Sequence, residues 1–273
     1  MKKYFVFFLL LILFHFSCVI SSNDEETIYV EDETEQEIKN DAENDKLKEL
    51  EQKMEELETG KAPSDIIKYV IKQQAEGAKL VKVNINAGAC RMNLKSGSKQ
   101  LFTGGFAFSH KEWQPEYSYS VQDGTGYMDI KQPEINNVDF SNDDKYVWNL
   151  KFGNQIPLEF DVNLGAGLTE VQLGGLPVKN FNMVMGVGKT ELDLRGDWKN
   201  NAEIHLEGGI GLLHIYLPET TGVKLNILKA LTDIETHNLK QIDKNTYVNN
   251  YYKKSKFNII IYLNTGIGKI EVE

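Results

Sequence analysis

The sequence predicts an all-β, β-solenoid-like body carried behind an export signal and an acidic tether. Three observations predict it: period-two alternation of apolar and polar residues from about residue 67 onward, a Gly-x-Gly corner that recurs between alternating stretches, and no long segment of helical period before Glu273. Val, Ile, Tyr, Phe and Thr are frequent in the body and suit pleated, half-buried strands. With 273 residues the chain is long enough to bury a sizeable core.

The N-terminus sets the compartment. Lys2-Lys3 form a short positive region and Tyr4 to Phe16 an apolar run of 13 residues, too short for a bilayer core that needs about 20. The run ends at Ser17-Cys18, which resembles a bacterial lipobox, so residues 1–18 read as a signal peptide and Cys18 as the lipidated mature N-terminus. His15 and Phe16 stand where a lipobox usually has Leu and a small residue, so cleavage near Ser21 or Ser22, or an uncleaved anchor, stays open. All three place the body outside the cytoplasm. Acyl chains on Cys18 would hold it to a membrane, each buried CH₂ contributing roughly 0.8 kcal/mol.

Residues 19–62 read as a solvated tether. Between Asn23 and Gly60 sixteen acids face four lysines, and almost no aromatic residue is present, so the segment buries too little to offset chain entropy. Leu47, Leu50, Met54 and Leu57 make one short helical stripe, enough for a transient helix and too short for a coiled coil. The formal charge of −10 therefore sits in the tether, while residues 61–273 balance 24 acids against 24 bases. A neutral body behind an acidic tail lacks the basic face that phosphate backbones require, which excludes nucleic acid as a partner. Two cysteines in regions of unlike character exclude a disulfide scaffold.

The body divides into an N-terminal segment, 63–138, and a C-terminal segment, 139–273. Ile67, Tyr69 and Ile71 alternate with Lys68, Val70 and Lys72, and Leu80 to Asn86 alternates likewise. The corners then follow: Gly165-Ala166-Gly167, Gly186-Val187-Gly188, Gly209-Ile210-Gly211 and, near the end, Gly266-Ile267-Gly268. The first three begin at 165, 186 and 209, a near-constant period within the range of solenoid coils. Asp123-Gly124-Thr125-Gly126 reads as an earlier related corner, and Ala87-Gly88-Ala89-Cys90 as a degenerate one. Glycine there supplies positive φ and lets one coil's backbone sit against the next, so that stacked coils bury one apolar stripe. A β-sandwich with Gly-rich hairpins is the competing architecture; the period favours the solenoid. The final strand, about 257–273, reads as the exposed end of the stack, and its unpaired edge would drive self-association into homo-oligomers.

Several stretches resemble the bacterial toast-rack domain proteins. They are Leu101 to Phe106, Glu112 to Tyr119, Trp148 to Leu158, and the glycine corners with Leu173-Gly174-Gly175-Leu176 and Leu217-Pro218. The resemblance covers about residues 65–273 and extends to the C-terminal region shared with cell-wall-active antibiotic response proteins. It implies a β-solenoid-like body on exported or membrane-tethered proteins, with relatives tied to envelope stress, and it implies no catalytic residues. The chain departs from membrane-spanning members by having no internal transmembrane segment, which weighs against a direct signalling role.

The chemical motifs fail individually. Gly188-Lys189-Thr190 invites a phosphate loop, but the required earlier Gly is Met183. A dinucleotide fingerprint starting at Gly165 meets Glu170 at its third Gly. Gly208-Gly209-Ile210-Gly211 begins like a calcium β-roll, but Leu213 replaces the ligating Asp. His205 and His214 flank one corner without a visible third ligand, so no metal site is assigned, and His15, His110 and His237 are scattered. Cys90 reads as a small buried hydrophobe and Asp143-Asp144 as a polar turn. No cofactor is expected.

One aromatic group stands out: Phe102, Phe106, Phe108, Trp113, Tyr117 and Tyr119. Aromatics at period two are ordinarily core. The functional reading makes Trp113, Tyr117 and Tyr119 a stacking surface for a sugar or protein partner. The chain as a whole thus reads as a non-enzymatic, envelope-tethered binding or scaffold module for an envelope protein or cell-wall polymer. A glycan-acting enzyme is the alternative, and it would need two convergent acids in a groove.

Overall fold

Alternation becomes thirteen strands in the computed structural model, which describes residues 66–134 and 144–273. The signal peptide, Cys18, the tether and the 138/139 boundary lie outside the described residues. In chain order the strands are β1 (Ile67–Gln73), β2 (Leu80–Ser96), β3 (Phe102–Phe108), β4 (Glu116–Gln122), β5 (Thr125–Lys131), β6 (Tyr146–Phe152), β7 (Leu158–Gln172), β8 (Val178–Asp193), β9 (Ala202–Tyr216), β10 (Gly222–Thr236), β11 (Lys240–Asp243), β12 (Thr246–Val248) and β13 (Asn258–Val272). One 3₁₀ turn, Lys111–Trp113, is the only helical element among the described residues. None of their helices is long and apolar enough to cross a membrane.

The strands form a single sheet in the order β1-β3-β6-β2-β7-β8-β9-β13-β10-β12-β11, with the β4-β5 hairpin attached to β2 through β5. β2, β7, β8, β9, β13 and β10 run parallel, each paired along most of its length. β2 is shared on its other side: Leu80–Asn86 pairs with β5 and Arg91–Ser96 with β6.

The glycine corners lie inside these long strands and bend each one near its middle. The buried residues reveal the bend, because the alternation changes parity across every corner. In β7 the interior positions are Leu158, Phe160, Val162 and Leu164 before the corner, then Thr169 and Val171 after it. β8 changes from Phe181, Met183 and Met185 to Thr190 and Leu192, and β13 from Ile259, Ile261 and Leu263 to Ile270 and Val272. An uninterrupted strand would turn half of these side chains outward. The corner absorbs one extra residue, so both halves keep their apolar side inward.

Close stacking explains why the corners are glycine. A Cβ built on Gly188 would strike the carbonyl oxygen of Gly167, one on Gly211 that of Gly188, and one on Gly268 that of Gly211. Gly188 also has φ +148°, a conformation L side chains rarely adopt. This column starts against the Cys90 carbonyl, and a second one, Gly165-Gly186-Gly209-Gly266, starts against that of Gly88; the degenerate corner at residues 87–90 therefore belongs to the stack. β10 has Leu228-Lys229-Ala230-Leu231 at the corresponding point, and there its register against β13 slips twice.

Two expectations are corrected. Asp123-Gly124 is the tight turn of the β4-β5 hairpin, with φ of +50° and +76°, and is no coil corner; Asp-Gly is a preferred pair for such turns. The last strand, β13, is not an exposed end. It inserts between β9 and β10, paired on both sides, and Gly266 sits against Gly209. An apolar strand of Ile259, Ile261 and Leu263 gains most by being covered on both edges.

Candidate functional site

The aromatic group is mainly core. β3 and β6 pair with Phe106 opposite Trp148, and those rings meet edge to face with centroids 5.5 Å apart. Trp113 is fully buried, 5.6 Å from Tyr146 and 4.5 Å from the His110 ring, which corrects its assignment to a binding surface. Tyr117 and Tyr119 are half-buried. Their hydroxyls donate to Gln73 Oε1 at 3.0 Å and to the Ala75 carbonyl at 2.8 Å, and burial pushes both phenols up from their ordinary range. Tyr117 also stacks on Phe102. The two tyrosines thus tie β4 to the end of β1 and its following turn.

Cys90 is buried beside the first corner, and desolvation pushes its thiol up to about 12. A neutral buried thiol is a poor nucleophile. Asp144 meets His110 Nε2 at 2.9 Å in a local pair, while Asp143 lies outside the described residues.

The outward sides of the two strand halves differ in chemistry. Before the corner, cross-strand rows carry amides: Asn84 donates to Asp129 Oδ1 at 2.8 Å and Asn182 to Asp161 Oδ1 at 2.7 Å. Further along that row His205 stacks on Tyr262, with centroids 4.6 Å apart, and Tyr262 stands beside Asn226. After the corner the corresponding row is ionic, with Glu170, Glu191, His214, Glu271 and Glu235 side by side on successive strands. Arg91 meets Glu170 at 3.2 Å, Lys189 meets Glu191 at 3.0 Å, and Lys269 meets Glu235 at 3.4 Å. Between the two sides the middle residues of the corners present Val187 and Ile210 to solvent.

His205 and His214 lie in opposite halves of β9 and do not converge. His214 instead meets Glu273 Oε1 at 3.1 Å and Tyr216 at 4.0 Å between ring centroids. This grouping was available in the repeat. The third residue after the second corner glycine is Glu170, Glu191, His214 and Glu271 in successive copies, and in-register parallel pairing turns that shared position into a row. On these rows Glu159, Glu170 and Glu191 meet cations and Asp129 and Asp161 meet amides, while Glu235 and Glu271 stand side by side.

A bent parallel sheet with a glycine column and no helix in its layers defines a β-solenoid-like repeat protein. The family profile for the N-terminal domain of toast_rack, DUF2154, matches residues 30–216, and the profile for the C-terminal region of LiaF, cell wall-active antibiotics response, matches residues 175–272. The chain belongs to the toast-rack family. Among solved structures, a candidate cell adhesion protein from Clostridium sporogenes is 32% identical, with a TM-score of 0.73 over 76% of this chain and 99% of that one. A candidate adhesin from Bacteroides fragilis is 10% identical, covering 77% of this chain and 98% of that one. Its TM-score of 0.30 is too low to compare details. No curated protein matches the sequence.

Proposed function

We propose that this chain is a non-enzymatic binding or scaffold module held at the cell envelope, with Cys18 lipidated and the body presented outside the cytoplasm on its acidic tether. The observation that carries this reading is the likeness to the Clostridium sporogenes candidate cell adhesion protein along 99% of that chain. The match to the LiaF C-terminal region supports an envelope setting. The outward rows of amides and paired charges suit a polar macromolecular partner, an envelope protein or a cell-wall polymer, and the neutral body does not suit nucleic acid. Self-association belongs to the same reading, but at β10. Beyond Ile227, β10 pairs with β13 on one side and with no strand on its other side among the described residues.

Intact mass and detergent partition of the protein from its native membrane, with Cys18→Ala alongside, test the tether. The expected result is an acyl adduct and detergent partition for wild type and neither for the variant. Soluble protein trimmed near Ser22 in both would overturn it. Co-sedimentation of the full chain with purified cell wall then separates a polymer partner from a protein one.

A further inference from the structure

The richest unassigned constellation is at the far end of β9, β13 and β10. His214 on β9 is in register with Glu271 on β13, and Glu271 with Glu235 on β10. Glu273 follows at the end of β13, and His237 follows β10. Two sets of potential ligand atoms result, His214-Glu271-Glu273 and Glu235-His237-Glu271, each with all its atoms within 4.8 Å of one another. Glu271 is common to both.

We propose that these side chains form a binding site for a divalent transition-metal ion of the zinc type, with Glu271 as the shared ligand. Three features carry the assignment. The first is donor chemistry: imidazole nitrogen combined with carboxylate oxygen suits zinc and its neighbours, whereas calcium and magnesium prefer oxygen alone. The second is fixed backbone. The Leu217 N–H donates to the Glu273 carbonyl at 2.6 Å, the Glu273 N–H to Ile215 at 3.0 Å, and the His237 N–H to Val272 at 2.7 Å, so the ligands stand on strand ends already locked together. The third is charge. Glu235 and Glu271 are direct cross-strand neighbours of like sign, an arrangement that is unfavourable without a cation. Lys269 approaches Glu235 at 3.4 Å, and a metal ion would neutralise the remainder.

The ion has a structural consequence. Held by His214, Glu271 and Glu273 it joins β9 to the inserted β13; held by Glu235, His237 and Glu271 it joins β13 to β10, in the half where β10 has no second strand beside it among the described residues. The site needs no assumption about the envelope partner.

Equilibrium dialysis of the full chain against zinc, in a large excess of magnesium to occupy the acidic tether, tests it. Wild type is expected to retain zinc, and Glu271→Gln to bind more than tenfold more weakly because it removes a ligand from both sets. His214→Gln and His237→Gln each remove one set, and at least one of them is expected to weaken retention. Thermal unfolding in chelator shows that each variant is folded, and zinc is expected to raise the midpoint of wild type but not of Glu271→Gln. Equal zinc retention by wild type and Glu271→Gln, or wild-type zinc binding no tighter than magnesium, would overturn the site.

Discussion

Around β1, β3 and β6 the chain pairs antiparallel and fills its interior with clustered rings, whereas from β7 through β13 and β10 it pairs parallel and fills its interior with apolar rows matched in register. In the first region Phe102, Phe106, Trp113, Tyr146, Trp148 and Phe152 contact one another as tilted or edge-on pairs. In the second, one interior row runs Phe160, Phe181, Ile204, Ile261 and Leu225 across five strands. The ring region holds its shape through large side chains that fit a particular volume. The stack holds its shape where side chains are missing, since its strands approach through bare glycine backbone. Adding an atom should therefore harm the stack about as much as removing many harms the ring region.

Two substitutions carry the largest expected effects. Trp148→Ala leaves a cavity at a fully buried position and should cost about 3–5 kcal/mol in urea unfolding. Gly188→Ala adds one methyl against the Gly167 carbonyl at an unfavourable φ, and strain plus overpacking should cost about 3–5 kcal/mol as well. A Gly188→Ala cost near that of an ordinary exposed glycine would break the comparison.

A glycine control sharpens it. Gly124, in the β4-β5 turn, also has positive φ, but its nearest neighbour is the flexible Lys79 side chain at 3.8 Å. Gly124→Ala should cost about 1–2 kcal/mol, the conformational part alone. Chemical unfolding of the two alanine variants side by side separates backbone strain from collision.

Smaller effects come from polar groups of the stack. Asp193 accepts from the Arg195 backbone and guanidinium, with bonds of 2.8 to 2.9 Å. The Arg195 guanidinium holds its carboxyl below the usual carboxylate range. A depressed folded pKa means the pair stabilises above the unfolded pKa and loses that contribution as pH falls through the folded one. Arg195→Ala should therefore be a few tenths of a kcal/mol less stable at neutral pH, because the pair is exposed, and the deficit should shrink in acid to what the Arg195 contact with the Tyr216 ring contributes. Urea midpoints from neutral pH to pH 2 check this.

The smallest change is Thr169→Val. Thr169 is buried, and its hydroxyl has no hydrogen-bond partner among the described residues. Replacing it with an isosteric apolar group should be neutral or stabilising by up to about 1 kcal/mol, read from the same unfolding curves.

Strand identity and the glycine stack were legible because they are written locally: alternation is visible within seven residues, and a corner within three. The family likeness followed from those same stretches. The insertion of β13 was not legible, because Gly266 is far in sequence from Gly209 and nothing local says which strand it will join. Trp113 misled for a related reason. Its short polar surroundings, Lys111, Glu112 and Gln114, resemble a surface turn, while the Tyr146 ring that packs on it comes from distant β6. The His214-Glu271 grouping could have been found by aligning the corners and reading three residues onward, a step that needs the parallel register as well as the repeat.

The place of β13 also bears on the order in which these strands can assemble. β10 reaches the parallel stack through β13, and β13 follows β10, β11 and β12 in the chain. A chain emerging from a ribosome or a translocation channel N-terminus first can stack β7, β8 and β9 as they appear. It must then hold β10 and the small β11-β12 hairpin in waiting until β13 arrives and slides in beside β9. Until then β9 offers an open parallel edge of fifteen residues, a natural landing place for the wrong strand. Loss of β13 would thus remove the bolt between two otherwise finished parts.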